Sequence, residues 1–132
     1  MSDQALVREI LSQMLMAVER VERRAAKIEK PHDFVASDEG LDMLDAISMM
    51  LIALGESCKN LDKITDGSVL IRYPMVDWKG VKGMRDIISH HYFDINAENV
   101  FSVCRKHIPT LKQTLTTMLK DLIKRGTTDG NS

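Results

Sequence analysis

An apolar stripe along the N-terminal part of this chain limits the folds that it can adopt. Its members alternate by four and three residues: Val7, Leu11, Met14, Val18, Val21, Ala25 and Ile28. This spacing keeps one face of an α-helix apolar and is typical of a helix that packs along another helix. We predict a long first helix, capped by Ser2 or Asp3, that ends at Pro31, because the residue before a proline is driven out of the α region.

A second long segment predicts the centre of the fold. Residues 41–54 are apolar on nearly every side, and a helix of that kind is normally buried. Ser37 is expected to cap it, and Gly55 predicts a close backbone approach by another helix. Three methionines of this segment are compatible with a peptide-binding groove but are interpreted as core: Met43, Met49 and Met50.

The remaining pattern adds shorter helices and no paired strands. Residues 65–77 are irregular, Asp77 opens a helix at Trp78, and Asn96 or Asp94 caps the next one. A last helix begins near Pro109 and is expected to end at Gly126. With aromatic residues at only 5%, the chain is predicted to be all-α, an up-and-down bundle of four to five helices. Residues 1–126 form one domain, and residues 127–132 form a disordered tail.

Composition narrows the possible functions. The net charge of −1 disfavours a protein that coats nucleic acid generally. The N-terminus has no signal-peptide pattern, and the longest apolar run is far too short to span a bilayer, so a cytoplasmic location without membrane contact is expected. Cys58 and Cys104 are isolated and are expected to be reduced thiols. No metal-ligand spacing occurs, so neither a metal nor a cofactor is expected.

The residues with the most chemistry lie in the segment Met84–Phe93, MRDIISHHYF. Arg85 has a permanent charge that pairs with phosphate oxygens, and His90 can exchange protons near neutral pH. Tyr92 adds a hydroxyl group that can be modified. Lys79 and Lys82 precede this segment and would attract phosphate. The set suits work on a phosphodiester, although these side chains could equally be the polar end of a helix.

The spacing within this segment leaves the geometry open. On a regular helix, Arg85, Ser89 and Tyr92 would share one face, and His91 would extend the apolar stripe of Met84, Ile87 and Ile88. His90 would lie on neither face. Either the helix ends or distorts near His90, or a second copy of the chain completes the site.

These residues resemble the HepT-like family of the HEPN superfamily. The resemblance lies in three blocks, Ala53–Leu61, Tyr73–Phe93 and Asp94–Leu111. The middle block is the most specific, with six residues in register: Trp78, Gly83, Met84, Arg85, His90 and Tyr92.

The resemblance implies a helical homodimer with Arg85 and His90 as catalytic residues at the dimer cleft. It implies a metal-independent endoribonuclease toxin of a type VII-like toxin–antitoxin system that acts on RNA. Its antitoxin would be a minimal nucleotidyltransferase that adenylylates Tyr92. Asp86 occupies the polar position after the arginine, and His91 stands where the family varies. Asp86, His91, Lys82 and Lys79 are candidate supporting or phosphate-binding residues.

Two alternatives remain open at this point. One is a non-catalytic nucleotide- or RNA-binding module that partners a nucleotidyltransferase, and the other is a purely structural helical dimer. The adjacent His90 and His91 also leave open which imidazole acts. We favour His90, because His91 would continue the apolar stripe on a regular helix.

Overall fold

A computed structural model describes residues 3–91 and 94–130, and the side chains of residues 3–89 and 94–124. The α-helices are α1 Asp3–Ala25, α2 Asp38–Ile64, α3 Trp78–Lys82, α4 Met84–Ile88, α5 Ala97–Lys106 and α6 Ile108–Gly130. Two short strands, β1 Ser89–His91 and β2 Asp94–Ile95, pair antiparallel. Two 3-10 turns, Pro31–Phe34 and Leu70–Arg72, complete the elements of the described chain.

The apolar stripe of α1 packs between α2 and α6. Val7, Leu11, Met14, Val18, Val21 and Ile28 are all buried, as their spacing predicts. Helix α6 runs antiparallel to α1, because contacts join opposite ends of the two helices. The Gln4 amide donates to the Leu122 carbonyl at 3.1 Å, and Lys112 pairs with Glu22 at 2.8 Å.

Helix α1 ends at Ala25, so the prediction that Pro31 ends it is wrong. The chain first tightens, with the Ile28 N–H bonding the Ala25 carbonyl at 3.0 Å. The next two N–H groups, of Glu29 and Lys30, then donate to the Asp33 carboxylate at 2.9 and 3.2 Å. These hydrogen bonds lower the pKa of Asp33, the Glu29 N–H having the largest effect.

Helix α2 is the central element, in contact with α1, α3, α4 and α5. The Ser37 hydroxyl accepts a hydrogen bond from the Gly40 N–H at 3.0 Å, which confirms the predicted cap. The prediction of an entirely buried helix is wrong in part, since Met49 is 67% exposed and Leu41 is 41% exposed. Met43 and Met50 are half-buried. The neighbouring elements cover α2 on one side more fully than on the other.

Gly55 lies where α2 meets α3 and α4, which confirms the predicted close approach. A Cβ atom there would lie 2.7 Å from the Val81 carbonyl oxygen and 3.3 Å from the Met84 Cβ. The helix predicted from Trp78 onwards is interrupted at Gly83, which separates α3 from α4. Glycine stabilises a helix less than any residue except proline, so this position tolerates an interruption at little cost.

Helix α6 continues through Gly126 to Gly130, so the predicted end at Gly126 is wrong. A single glycine costs a helix about 1 kcal/mol relative to alanine, which is too little to end it alone. The division into a domain over residues 1–126 and a tail over residues 127–132 remains a prediction.

The all-α class is confirmed, with α2 at the centre of a helical bundle. The described residues contain six α-helices rather than four to five, because α3 and α4 have only five residues each. The prediction of no paired strands is wrong, because β1 and β2 pair antiparallel, and helical periodicity cannot reveal such short strands. No helix in the described part of the chain is both long and apolar enough to cross a membrane.

Candidate functional site

Arg85 lies on the solvent side of α4. Met84 and Ile88 anchor this helix in the core at 3% and 0% exposure. The three residues between them, Arg85, Asp86 and Ile87, are exposed. The apolar anchors therefore leave the guanidinium and the neighbouring carboxylate at the surface, where a ligand can reach them.

Helix α4 ends at Ile88, and hydrogen bonds from the start of α5 hold this end. The Asn99 side-chain amide donates to the Ile87 carbonyl at 2.7 Å, and the Asn96 N–H donates to the Ile88 carbonyl at 2.8 Å. The Asn96 side chain in turn accepts from the Asn99 N–H at 2.9 Å. In a longer helix these two carbonyl groups would accept hydrogen bonds from later residues of α4. Here they accept them from residues at the start of α5 instead.

The chain continues from α4 as strand β1, so His90 is preceded by a helix and lies in extended backbone. Ser89 pairs with Ile95 and His91 pairs with Asp94 across the two strands. The predicted end or distortion of the helix near His90 is confirmed. The two predicted helical faces are wrong, because Ser89 and His91 belong to β1 and not to α4. Ser89 therefore does not share a helical face with Arg85, and His91 does not extend the apolar stripe that begins at Met84.

Tyr92 lies outside the described residues, as do the side chains of His90 and His91. The structure therefore describes Arg85 and Asp86 as side chains and describes His90 and His91 by their backbone only. The roles predicted for His90, His91 and Tyr92 stay predictions.

Of the two lysines predicted to attract phosphate, Lys79 and Lys82, only Lys82 forms an ion pair in the described structure. The Lys82 ammonium donates to the Asp62 carboxylate of α2 at 2.9 Å, and both side chains are only about one-third exposed, at 33% and 28%. That hydrogen bond raises the pKa of Lys82. Lys82 thus holds α3 against α2, whereas Lys79 is exposed and remains a candidate phosphate-binding residue.

Asn99 and Asp62 are positioning residues that sequence reasoning missed. Both bond to residues far along the chain, by twelve and twenty positions. The sequence contained one hint of Asn99: it is a second asparagine, three residues after the predicted cap Asn96, for which the sequence pattern predicts no role. No local pattern pointed to Asp62, which is one of many charges on α2.

The other reactive groups are separate from this site. Burial raises the pKa of the Cys58 thiol to about 12 and that of Cys104 to about 11, so both are inert at neutral pH. Glu56, at the end of the apolar segment, is exposed and pairs with Lys59 at 3.4 Å. Among the described residues, no three His, Cys, Asp or Glu side chains gather closely enough to hold a metal ion.

Comparison with known proteins gives a family and several relatives. The sequence model of the family described as "Ribonuclease HepT-like" matches residues 14–118. "Putative RNase MJ0127" of Methanocaldococcus jannaschii is 32% identical over 77 residues, which are 58% of this chain and 60% of that protein. "Putative RNase TTE0752" of Caldanaerobacter subterraneus subsp. tengcongensis is 33% identical over 67 residues, 51% of this chain and 56% of that protein.

A longer protein aligns with more of the chain. "Gamma-glutamylcyclotransferase and putative RNase MJ0434" of Methanocaldococcus jannaschii is 28% identical over 114 residues, 86% of this chain and 48% of that protein. In each of these three comparisons the chain spans less than two thirds of the relative's length. No solved structure matches the chain significantly.

Proposed function

The chain belongs to the ribonuclease HepT-like family, and we propose that it is an endoribonuclease that cuts RNA without a metal ion. One observation carries the proposal: the exposed Arg85 stands on a helix that ends three residues later, at Ile88. The backbone then extends through His90. This break removes the obstacle that a regular helix would pose to a shared site for Arg85 and His90.

The chemistry proposed for this site needs only an acid, a base and a fixed cation. A neutral imidazole of His90 removes the proton of an RNA 2′-hydroxyl, and that oxygen attacks the adjacent phosphorus. The bond to the 5′-oxygen breaks, and this leaving oxygen takes a proton from an acid. The products are a 2′,3′-cyclic phosphate and a 5′-hydroxyl end. Proton transfer of this kind accelerates reactions by roughly 10²–10⁴-fold.

Arg85 would stabilise the charge that gathers on the phosphoryl oxygens during the attack. Its guanidinium is permanently charged and presents a fork of donors that matches two phosphate oxygens. Lys79, also exposed, would bind a neighbouring phosphate. Because α4 is anchored through Met84 and Ile88, Arg85 can serve this role without being part of the core.

A homodimer belongs to this proposal, because one histidine cannot be acid and base in the same step. His90 of one copy would be the base, and His90 of a second copy would be the acid across a two-fold axis. We expect sedimentation at micromolar concentration to give twice the monomer mass of 14.9 kDa. A species of 14.9 kDa alone would contradict a dimeric site.

The decisive experiment is RNA cleavage by the purified protein in the presence of EDTA. We expect cleavage by the unmodified chain and losses of orders of magnitude for Arg85→Ala and His90→Ala. Arg8→Ala and His32→Ala are matched controls, since both side chains are exposed and lie on other elements. In cells, expression of the unmodified chain should slow growth and damage tRNA, and the two site variants should not.

The proposal extends to a toxin–antitoxin pair of the type VII-like kind. A partner nucleotidyltransferase would transfer AMP from ATP to the Tyr92 hydroxyl, which loses its proton while pyrophosphate leaves. The position of Tyr92 two residues after His90, in register with the family pattern, supports this proposal. The helical face predicted to be shared by Arg85 and Tyr92 gives no support, since α4 ends at Ile88. Mass spectrometry after incubation with transferase and ATP should find the adduct, and Tyr92→Phe should remove it.

A second candidate function is a non-catalytic module that binds RNA or nucleotides beside a nucleotidyltransferase. The exposed Lys79 and Arg85 would serve binding as well as catalysis. RNA that binds tightly and stays intact in the cleavage assay would favour this function. Cleavage that depends on His90 would exclude it, because binding alone does not require proton transfer.

A further inference from the structure

A cleft of about 360 Å³ lies on the other flank of α4 from Arg85. It is bounded by the segment Met75–Asp77, by α3 and α4, and by the junction of α5 with α6. The walls are mainly apolar: Val76, Val81, Met84, Ile87, Val103, Ile108 and Leu111. The polar residues of the lining are Asp77, Lys106, His107 and Thr110.

Helical geometry separates the cleft from Arg85. Successive residues of a helix are rotated by about 100°. Met84 and Ile88 face the core. Viewed along the axis of α4, Arg85 therefore lies to one side of them and Ile87 to the other, with Asp86 on the outer side between Arg85 and Ile87. A ligand in the cleft would therefore lie on the opposite flank of α4 from a phosphate bound by Arg85.

The lining of the cleft suits a flat, partly apolar group attached to an anion. Sites for small ligands are commonly clefts of about 300–1,000 Å³ with apolar walls and a few polar groups. Unpaired bases of RNA stack on aromatic side chains, among them histidine. His107 and Lys106 are both exposed at the rim, where an imidazole can stack and an ammonium can reach a phosphate. Exposed Ile87 and Met75, at 38% and 60%, would be covered by such a ligand.

We propose that this cleft binds the base of an RNA nucleotide next to the scissile phosphate, an inference that rests on the proposed ribonuclease function. The base lies against Val81, Met84 and Ile87, and Lys106 contacts the phosphate of the same nucleotide. The RNA strand then passes over the exposed side of α4 to Arg85. The cleft holds the substrate and takes no part in proton transfer.

The direct test is NMR of protein labelled at the methionine methyl groups. Met75 and Met84 line the cleft, whereas Met16 and Met49 are exposed at 51% and 67% and lie elsewhere. Millimolar adenosine 5′-monophosphate or uridine 5′-monophosphate should shift the signals of Met75 and Met84 and leave those of Met16 and Met49 in place. Ribose 5-phosphate, which has the phosphate and no base, should not produce these shifts.

Several results would overturn the proposal. Equal shifts with ribose 5-phosphate would mean that the cleft binds phosphate only, and no shift with either nucleotide would mean that it binds neither. Signals of Met75 and Met84 that change on dilution of the protein alone would assign the cleft to self-association. None of these measurements depends on RNA cleavage. If the protein binds nucleotides but cuts no RNA, the ribonuclease function is refuted and the proposed binding in the cleft still stands.

Kinetics supply the second test. Ile87→Asp introduces a charge into the wall of the cleft, and Ile71→Asp makes the same change at an isoleucine that is 78% exposed and lies elsewhere. Ile87→Asp replaces an apolar contact of the base with a carboxylate that also repels the phosphate, so it should raise KM about tenfold or more. Its kcat should change little, and Ile71→Asp should behave like the unmodified chain. Equal KM values for the two variants would contradict the proposal.

Discussion

Arg85 is exposed because the residues that hold its helix in place are apolar and lie on the opposite side. Met84 and Ile88 supply the burial, and neither the guanidinium nor the Asp86 carboxylate contributes to the core. Replacement of Arg85 should therefore leave the free energy of unfolding nearly unchanged, as is usual for surface substitutions. Any loss of function in Arg85→Ala can then be attributed to chemistry rather than to misfolding.

The first prediction at this scale concerns the two histidines. Four residues separate Arg85 from His90, and Tyr92 follows two residues later, an arrangement that matches the family pattern that the sequence resembles. His90→Ala should lower the rate of RNA cleavage by orders of magnitude, and His91→Ala should retain most of it. On a regular helix, His91→Ala would also cost stability through lost packing in the apolar stripe, but α4 ends at Ile88, so no such loss is expected.

The comparison uses initial cleavage rates and thermal unfolding of both variants. An active His90→Ala protein beside an inactive, fully folded His91→Ala protein would reverse the assignment of the imidazole.

The second prediction concerns Asn99, whose amide donates to the Ile87 carbonyl at 2.7 Å. Asn99→Asp keeps the shape of the side chain and removes the donor, so the end of α4 loses one of its two partners from the start of α5. We expect a lower kcat with little change in KM, because the position of His90 relative to Arg85 becomes less defined. The free energy of unfolding should fall by about 1 kcal/mol.

Asn60→Asp is the matched control, since Asn60 is an exposed asparagine of α2. If both aspartate variants have the same kcat, Asn99 has no positioning role. Rescue by Asn99→Gln would instead indicate that any amide within reach of Ile87 suffices.

At the scale of elements, the contact of α2 with α3 and α4 sets the place of the site. Gly55 allows the Val81 carbonyl to lie where a Cβ atom would otherwise be. The Asp62–Lys82 pair holds the same contact about two turns further along α2. Arg85 is thus carried by a pair of very short helices whose position depends on the surface of α2.

The third prediction follows from this contact. Gly55→Ala adds a methyl group 2.7 Å from the Val81 oxygen, so α2 and α3 must move apart. Overpacking of this kind costs about 1–3 kcal/mol, and displacement of α4 should also reduce cleavage. Chemical denaturation and cleavage rates measure the two effects.

Gly83→Ala is the control for stability, because a Cβ atom there meets its nearest neighbour, the Lys79 carbonyl oxygen, at an ordinary 3.4 Å. It should cost clearly less stability than Gly55→Ala. Equal losses for the two variants would mean that the approach at Gly55 is not tight.

At the scale of the whole molecule, the core holds three acidic groups in the protonated form. Burial raises the pKa of Cys58 from 9.0 to about 12 and that of Cys104 from 9.0 to about 11. Burial, with a hydrogen bond to Asp121, raises the pKa of Tyr73 from 10.0 to about 12. Above pH 9.0 the folded chain therefore binds more protons than the unfolded chain.

The fourth prediction is a fall of stability in alkali. The contribution of these groups is complete below pH 9.0 and is lost as the pH rises towards the pKa values of the folded state. The melting temperature should decline through this range, and Cys58→Ala should decline less steeply because one source is removed. A melting temperature that stays constant above pH 9.0 would contradict the burial of these groups.

Features that depend on a few neighbouring residues could be read from the sequence alone. The stripe of α1, the central position of α2, and the caps at Ser37, Asp77 and Asn96 all agree with the structure. Periodicity reports which face of a helix is apolar, and a cap bonds to a backbone N–H three residues away. Both are visible in a short stretch of sequence.

The end of α4 and the backbone of the site could be known only from the folded molecule. The Asn99 side chain and the Asn96 N–H, both from the start of α5, donate to the carbonyl groups of Ile87 and Ile88. A helix end depends on which groups are near enough to replace its lost internal hydrogen bonds, and the contact from Asn99 to Ile87 comes from another element. The sequence could therefore single out Arg85 and His90, but the packing of α5 against α4 decided the backbone between them.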